Sequence, residues 1–268
     1  MASTAFKNLA KKVSLQELKW LRDSAPNQQA LHNMLVRRVA GEPLQYILGN
    51  TPFGPLTIKT RPPTLIPRPE TEDWTYKLAR FVSQTFPSKQ LNIVDLCTGT
   101  GCIPLLLSAL LPPGSVRSLG IDISELACQL ALENAAEAGF SHPVYRVQQD
   151  NILSPEFSKT LQEQSFDLIT CNPPYIPPSE YHSLPACVKD YEDRDALLAD
   201  SPDGLLFYRA LPSIFKALLR APNGVFAVEV GHKQGEAVVK LFKDARSFHS
   251  IELWNDPWDI PRTVVGRT

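Results

Sequence analysis

Neither sign of charge is in surplus in this sequence: 27 lysines and arginines stand against 28 aspartates and glutamates. That balance, with no run of like charge and no basic stripe, argues against gross binding to a nucleic-acid phosphate backbone. No apolar run approaches the roughly 20 residues that span a bilayer. No stretch has the make-up of a signal-peptide apolar region. Cysteine is scattered and odd in number: Cys97, Cys102, Cys128, Cys171 and Cys187, with no Cys-x-x-Cys and no Cys/His ligand spacing. A disulfide framework and a metal site are therefore not expected, and buried thiols in a reducing compartment are. Internal repeats and low-complexity segments are missing as well. The 268 residues suffice for one large domain with a well-buried core and a small appendage.

What is present is organised around Phe166-Asp167-Leu168-Ile169-Thr170-Cys171-Asn172-Pro173-Pro174-Tyr175. The first six residues are mostly apolar or β-branched, the pattern of a strand buried on both faces. Two prolines then stop it, because neither donates an N–H to a ladder. An amide, two rigid rings and an aromatic face thus project from the carboxyl end of a buried strand, where open α/β sheets bind their ligands. A planar NH2 group placed there can donate to the Asn172 side-chain oxygen and the Pro173 carbonyl while stacking on Tyr175. Nothing in the motif is a strong base or nucleophile. It suits a reaction in which the substrate nitrogen is the nucleophile and needs only positioning. The plainer account of Pro-Pro is a stiff surface turn, with Tyr175 capping a core.

Residues 1–43 read as helical. Ser14-Leu15-Gln16-Glu17 has the form of a capping box, and Asn27 caps a second helix carrying Leu31, Met34, Leu35 and Val39 on one face before Gly41. Residues 44–68 form a linker: Tyr46-Ile47-Leu48 and Leu56-Thr57-Ile58 flank a turn, suggesting a hairpin. A stiff Pro-rich stretch, 61–69, follows. Pro69 suits the first turn of the next helix, and Glu70, Glu72 and Asp73 suit its positive end. Residues 69–268 form the main domain; from Asn92 onward its strands and helices alternate, which means a doubly wound, mostly parallel sheet.

The first strand of that series, Ile93-Val94-Asp95-Leu96, opens into Cys97-Thr98-Gly99-Thr100-Gly101, a turn where glycines let backbone approach a ligand. It lacks the third glycine of the dinucleotide fingerprint. Asp122 closes the next strand, where a carboxylate reaches ribose hydroxyls. Asp150 ends the third, followed by Asn151. A parallel sheet carries the Gly-x-Gly, Asp122, Asp150 and Asn172 to one rim. Helix capping alone would account for Asp122 and Asp150, but not for the glycines together with Asn-Pro-Pro-Tyr. With no lysine-bearing phosphate cradle, a nucleoside-bearing cofactor without a diphosphate fits.

Asp95-Leu96-Cys97-Thr98-Gly99-Thr100-Gly101 followed by Asn172-Pro173-Pro174-Tyr175 resembles the class I methyltransferases that use S-adenosylmethionine to modify nitrogen. Arg38-Val39-Ala40-Gly41-Glu42-Pro43-Leu44-Gln45-Tyr46-Ile47-Leu48-Gly49 and Leu65-Ile66-Pro67-Arg68-Pro69-Glu70-Thr71-Glu72 narrow the resemblance to the HemK/PrmC family. Those proteins methylate N5 of the glutamine in the Gly-Gly-Gln tripeptide of class I peptide release factors. The similarity runs from about residue 37 to the Pro261-Arg262 to Gly266-Arg267 end. It implies a Rossmann-like sheet of seven strands, one antiparallel, behind a small helical domain that docks the substrate. By position, it implies cofactor contacts at Cys97, Thr98, Gly99, Thr100, Gly101, Asp122, Asp150, Asn151 and Asn172. It implies that Asn172, Pro173, Pro174 and Tyr175 hold the acceptor amide, with Asn172, Pro173 and Tyr175 acting in catalysis. The product would be S-adenosyl-L-homocysteine and the partner a release factor, with neither membrane nor direct nucleic-acid binding. The sequence departs from the family at Cys97, where glycine is usual, and after Tyr191-Glu192, where proline is usual. Its N-terminal helical region is also shorter than the bacterial pattern. Two other readings stay open: an adenine N6-methyltransferase, and a non-catalytic protein that binds S-adenosylmethionine. Residues 1–16 hold Lys7, Lys11 and Lys12 and no acid, which an organellar presequence and an ordinary basic helix explain equally well; with the helical piece and hairpin that resemble the family's bacterial and organellar branch, mitochondria are favoured over cytoplasm.

Overall fold

The computed structural model describes residues 4–87, 89–161 and 165–268. The first three residues of the acid-free segment lie outside the described residues. Both predicted N-terminal caps form. The Ser14 hydroxyl accepts from the Glu17 N–H and the Glu17 carboxylate accepts from the Ser14 N–H, starting the helix Leu15–Ser24. Asn27 Oδ1 accepts from the Ala30 N–H and starts Gln28–Val39. Leu21, Leu31 and Leu35 pack with Leu44 and Ile47 into a small core of their own.

Leu44 and Ile47 correct one expectation. Tyr46-Ile47-Leu48 is not a hairpin flank but part of a short helix, Leu44–Leu48. Pro43 precedes its first turn and Gly49 ends it in the left-handed region at φ 77°. This punctuation prevails over the apolar run. The other flank, Leu56-Thr57-Ile58, is a strand as expected, within β2 (Leu56–Lys59), and its hairpin partner is β1 (Asn50–Phe53), a few residues beyond Tyr46-Ile47-Leu48.

The large sheet comprises β3 (Leu91–Leu96), β4 (Val116–Asp122), β5 (Tyr145–Gln149), β6 (Leu168–Cys171), β7 (Val225–Glu229), β8 (Ser250–Asn255) and β9 (Pro261–Arg267). Their spatial order is β5-β4-β3-β6-β7-β9-β8. All pairings from β5 across to β7 are parallel, and β9 is antiparallel to both its neighbours. This is the expected seven-stranded sheet with one reversed strand. Helices Pro69–Thr85, Cys102–Leu110 and Glu125–Glu137 cover one face, and Leu206–Leu218 and Gly235–Asp244 the other. Chain order reverses between β3 and β6, so the two strands that end in the motifs lie side by side at the crevice such sheets offer to ligands.

Their starts are fastened by Asp167. Its carboxylate accepts from Lys89 Nζ and Arg220 Nη1 at 2.7 Å and from the Asn92 N–H at 3.0 Å, with its side chain 1 % exposed. Both cations are part-exposed and regain water if the carboxylate is removed, so the loss falls below that of a fully buried pair. Asp167→Ala is expected to cost about 2 kcal/mol in urea unfolding. A change below about 0.5 kcal/mol, the level of an ordinary surface substitution, would contradict the fastening.

Candidate active site

β3 ends at Leu96, and the chain then turns sharply enough that Cys97, Gly99 and Gly101 all take positive φ (59°, 55° and 78°). Cys97 occupies a conformation that disfavours any side chain, by about 1–2 kcal/mol. So the residue that stands where glycine is usual keeps the glycine geometry. A Cβ on Gly99 would meet nothing within 4 Å, which leaves an open face for a ligand.

Beneath the turn, Asp95 is fully buried and accepts from the Thr98 and Thr170 hydroxyls, each at 2.6 Å. Burial pushes its carboxyl up to about 7, against the pull of those two hydroxyls. Thr98 Oγ1 also lies 3.1 Å from the Tyr145 hydroxyl. Thr98 and Thr100 are both buried, and Gly101 begins the helix Cys102–Leu110. These three shape the turn without lining the cavity above it.

That cavity, about 250 Å³, is lined by Cys97, Gly99, Asp122, Asp150, Asn151, Asn172 and Pro174 among the sequence-derived candidates. The Asp122 carboxylate braces the turn: Oδ2 accepts from the Gly99 N–H at 2.8 Å and Oδ1 from the Ser124 N–H at 2.9 Å. Burial raises its pKa, and those N–H donors draw it back. A carboxylate has about four lone-pair positions, so Asp122 retains acceptors for a ligand. Asp150 accepts from the Asn151 N–H, and Asn151 Oδ1 from the Leu153 N–H. This local turn sets Ile152 and Leu153 in the wall.

Sequence reasoning assigned no role to several other lining residues. Asp193, Asp195 and Asp200 come from the segment between β6 and the helix Leu206–Leu218, with Asp193 capping and Asp195 on its short helix Arg194–Leu197; Thr64 and Leu65 come from the Pro-rich linker, and Leu206 and Phe207 from the start of the later helix. The linker and this segment are tied together. Arg68 Nη2 donates to both Glu192 oxygens, at 2.7 and 2.6 Å, and the Asp193 N–H donates to the Pro63 carbonyl at 2.7 Å. Arg68 lies in the Leu65–Glu72 stretch that carries the family resemblance and Glu192 just before the point where the sequence departs from it, with 124 residues between them. The cavity is one-signed: five aspartates line it and no lysine, arginine or histidine does.

A second cavity, of about 260 Å³, adjoins the first through Leu65, Asn172 and Ala196, which line both. Tyr175, Arg68 and Glu229 also line it, with an apolar side of Ile176, Leu184, Val188 and Leu197. Glu229 is buried, and its Oε2 accepts from Thr71 Oγ1 at 2.6 Å and Trp74 Nε1 at 2.8 Å. Burial pushes the Tyr175 phenol up. Asn172 is therefore the sequence-derived residue at which the two cavities meet, while Pro173 is buried behind it.

Residues 87–256 match a family described as a methyltransferase domain. The release factor glutamine methyltransferase of Caulobacter vibrioides is 36 % identical over 224 residues, covering 83 % of this chain and 72 % of that protein. That of Moorella thermoacetica is 37 % identical over 220 residues, covering 82 % and 73 %. Among solved structures, the catalytic domain of hMettl16 in complex with MAT2A 3′UTR hairpin 1 superposes with a TM-score of 0.61 over 98 % of this chain and 91 % of its own. At 16 % identity, that likeness concerns the fold alone. The human methyltransferase 10 domain containing protein gives a TM-score of 0.53 at 18 % identity, over 80 % and 90 %. A glycine-bearing turn, an acid-lined cavity and the sequence relatives lead to one conclusion: the chain is an S-adenosylmethionine-dependent methyltransferase and belongs to the release factor glutamine methyltransferase family.

Proposed function

We propose that this enzyme methylates N5 of the glutamine in the Gly-Gly-Gln tripeptide of a class I peptide release factor. The observation that carries the reading is the position of Asn172, on the wall shared by an acidic cavity and a neighbouring one that Tyr175 lines. Five carboxylates without a cation suit a ligand whose sulfonium and ammonium outweigh its one carboxylate, and repel a diphosphate. S-adenosylmethionine supplies a methyl group on a cationic sulfur and leaves as S-adenosyl-L-homocysteine. Asp122 offers its free lone pairs to ribose hydroxyls. Asp150 and Asn151 hold the adenine end, against the apolar wall of Ile123, Ile152, Leu153 and Phe207.

On the acceptor side, the glutamine NH2 donates to Asn172 Oδ1 and the Pro173 carbonyl and lies on the Tyr175 ring, with Pro174 keeping the segment stiff. An amide nitrogen is a weak nucleophile because its lone pair is delocalised. Two fixed acceptors turn that lone pair towards the methyl donor and favour positive charge building on nitrogen. Transfer leaves a cationic N-methyl amide, an acid strong enough to give its extra proton to water, so no general base is required. An adenine amine would suit the same acceptors. The balanced charge of the chain and its acid-lined cavity weigh against a phosphate-bearing substrate. The compartment we propose is the mitochondrion, on the acid-free, lysine-bearing composition of residues 1–16.

Incubating a purified release factor with the enzyme and S-adenosylmethionine should add one methyl to the Gly-Gly-Gln glutamine by peptide mass spectrometry. A factor with that glutamine replaced by alanine should gain none, and methyl on an adenine-bearing RNA instead would overturn the assignment. Asn172→Ala should lower turnover by at least about 100-fold, the scale of losing one preorganised partner, while leaving most cofactor affinity; near-normal turnover would remove Asn172 from the chemistry. Asp122→Ala loses hydrogen bonds to a charged group, worth about 1.5–3 kcal/mol. By calorimetry the cofactor should then bind about 10- to 100-fold more weakly, and an unchanged dissociation constant would contradict the role. A tagged full chain should resist protease in intact mitochondria and be cut once they are lysed; a purely cytosolic signal would refute the compartment.

A further inference from the structure

Past Cys171 the Asn-Pro-Pro-Tyr segment leaves the sheet, and its own strand no longer holds it. Its far end is held from elsewhere. Gln234 Nε2 donates to the Tyr175 carbonyl at 3.0 Å and to the Asp203 carbonyl at 3.1 Å. One amide thus commits both of its N–H groups to two backbone carbonyls from two different segments. Because both partners are acceptors, only this orientation of the amide satisfies them.

Each segment serves a different wall. Tyr175 lines the acceptor-side cavity, and Leu206 and Phe207, just beyond Asp203, line the cofactor-side cavity. Asp203 is itself fixed in its turn: its carboxylate accepts from the Leu205 N–H at 3.1 Å and pairs with Arg209. Gln234 stands in the turn after β7, immediately ahead of the helix Gly235–Asp244. The close approach depends on residue 204 being glycine, since a Cβ there would run into the Tyr175 carbonyl oxygen and Gln234 Nε2.

The other end of the amide is informative. Gln234 Oε1 is buried and accepts no hydrogen bond among the described residues. Leaving a buried acceptor unpaired costs about 1–3 kcal/mol, so a side chain present only to fill space would be apolar. What the position needs is the pair of donors.

We infer that Gln234 is a positioning residue for methyl transfer: its side-chain amide locks the acceptor segment at Tyr175 to the Leu206–Phe207 wall of the cofactor cavity. It lines neither cavity and so acts through the segments it joins. The inference rests on the acceptor reading above, in which the Tyr175 end of the motif holds the substrate amide. Transfer between two bound partners is steep in distance: a 1 Å misplacement caused from afar costs about 100-fold.

Two variants test it. Gln234→Leu keeps the size and removes both donors, and Gln234→Glu keeps the shape and sets a carboxylate against two carbonyl oxygens. Both should lower kcat by about 30- to 100-fold, Gln234→Glu the more, while the cofactor dissociation constant stays within about threefold, under 0.7 kcal/mol. Hydrogen–deuterium exchange should quicken at Ile176 and Ala199, whose N–H groups bond to Leu197 and Ile176 carbonyls, and stay unchanged along β3. A kcat within about threefold of the parent, again under 0.7 kcal/mol, would overturn the inference. So would kcat, cofactor affinity and unfolding midpoint falling together, the mark of a merely structural residue. If the parent enzyme itself leaves release-factor glutamine unmodified, the acceptor reading fails separately. The exchange arm then decides alone, unchanged rates at Ile176 and Ala199 overturning the lock and faster ones upholding it.

Discussion

The parallel pairing of β3 with β6 is the constraint from which the rest of the site follows. Four registered pairs, from Ile93 beside Leu168 to Leu96 beside Cys171, bring two strand ends together. Beyond Leu96 lies the turn that carries Cys97 and Gly99, and beyond Cys171 lies Asn172. Shifting the register by one residue would exchange the faces of every side chain involved. Asp167 at the start of β6, held by Lys89, Arg220 and the Asn92 N–H, opposes such a shift. At the other end, Asp95 of β3 accepts a hydrogen bond from Thr170 of β6 at 2.6 Å. Polar groups buried in an apolar sheet are costly unless paired, so each of these contacts fixes alignment as well as adding stability.

Upon that frame, charge sorts the two cavities. The cavity above the glycine turn is lined by aspartates alone among the ionisable groups, apart from the Cys97 thiol. The cavity beside Tyr175 carries one cation and one carboxylate, Arg68 and Glu229, each already engaged with a protein partner. In the proposed reading a cationic cofactor is drawn to the first, and the second has little net field to attract phosphate. The proposed chemistry needs no acid or base at the junction, only an oriented amide, and Asn172 is a side chain that can orient one. None of the five histidines lines either cavity.

What the sequence makes legible is local or periodic. Strand and helix alternation, both N-terminal caps, the glycine turn, the acids at successive strand ends and the proline-stopped strand each depend on residues near one another in the chain. What it hides depends on distance. Arg68 and Glu192 form an ion pair across 124 residues. Nothing in the local spacing of Asp193, Asp195 and Asp200 says that a Pro-rich linker will lie against them and close a cavity. Phe207 reads as an ordinary apolar residue at a helix start until the fold turns it to the wall of that cavity. The Tyr46-Ile47-Leu48 reading fails for a different reason: three apolar residues suit strand and helix alike, and Pro43 and Gly49 decide between them. Cys97 lies between these cases, since its departure from glycine is visible in the sequence and its tolerance of positive φ only in the structure.

The central claim is that cofactor and acceptor meet at Asn172. The most direct measurement is a crystal structure of the enzyme with S-adenosyl-L-homocysteine and a peptide containing Gly-Gly-Gln. The account requires the homocysteine sulfur in the Asp122 cavity and the glutamine amide on Asn172 and Pro173, aligned with the sulfur so that a methyl group between them would lie roughly 3–3.5 Å from the nitrogen. A peptide seated elsewhere, or a glutamine amide turned away from Asn172 with the cofactor product in place, would contradict it.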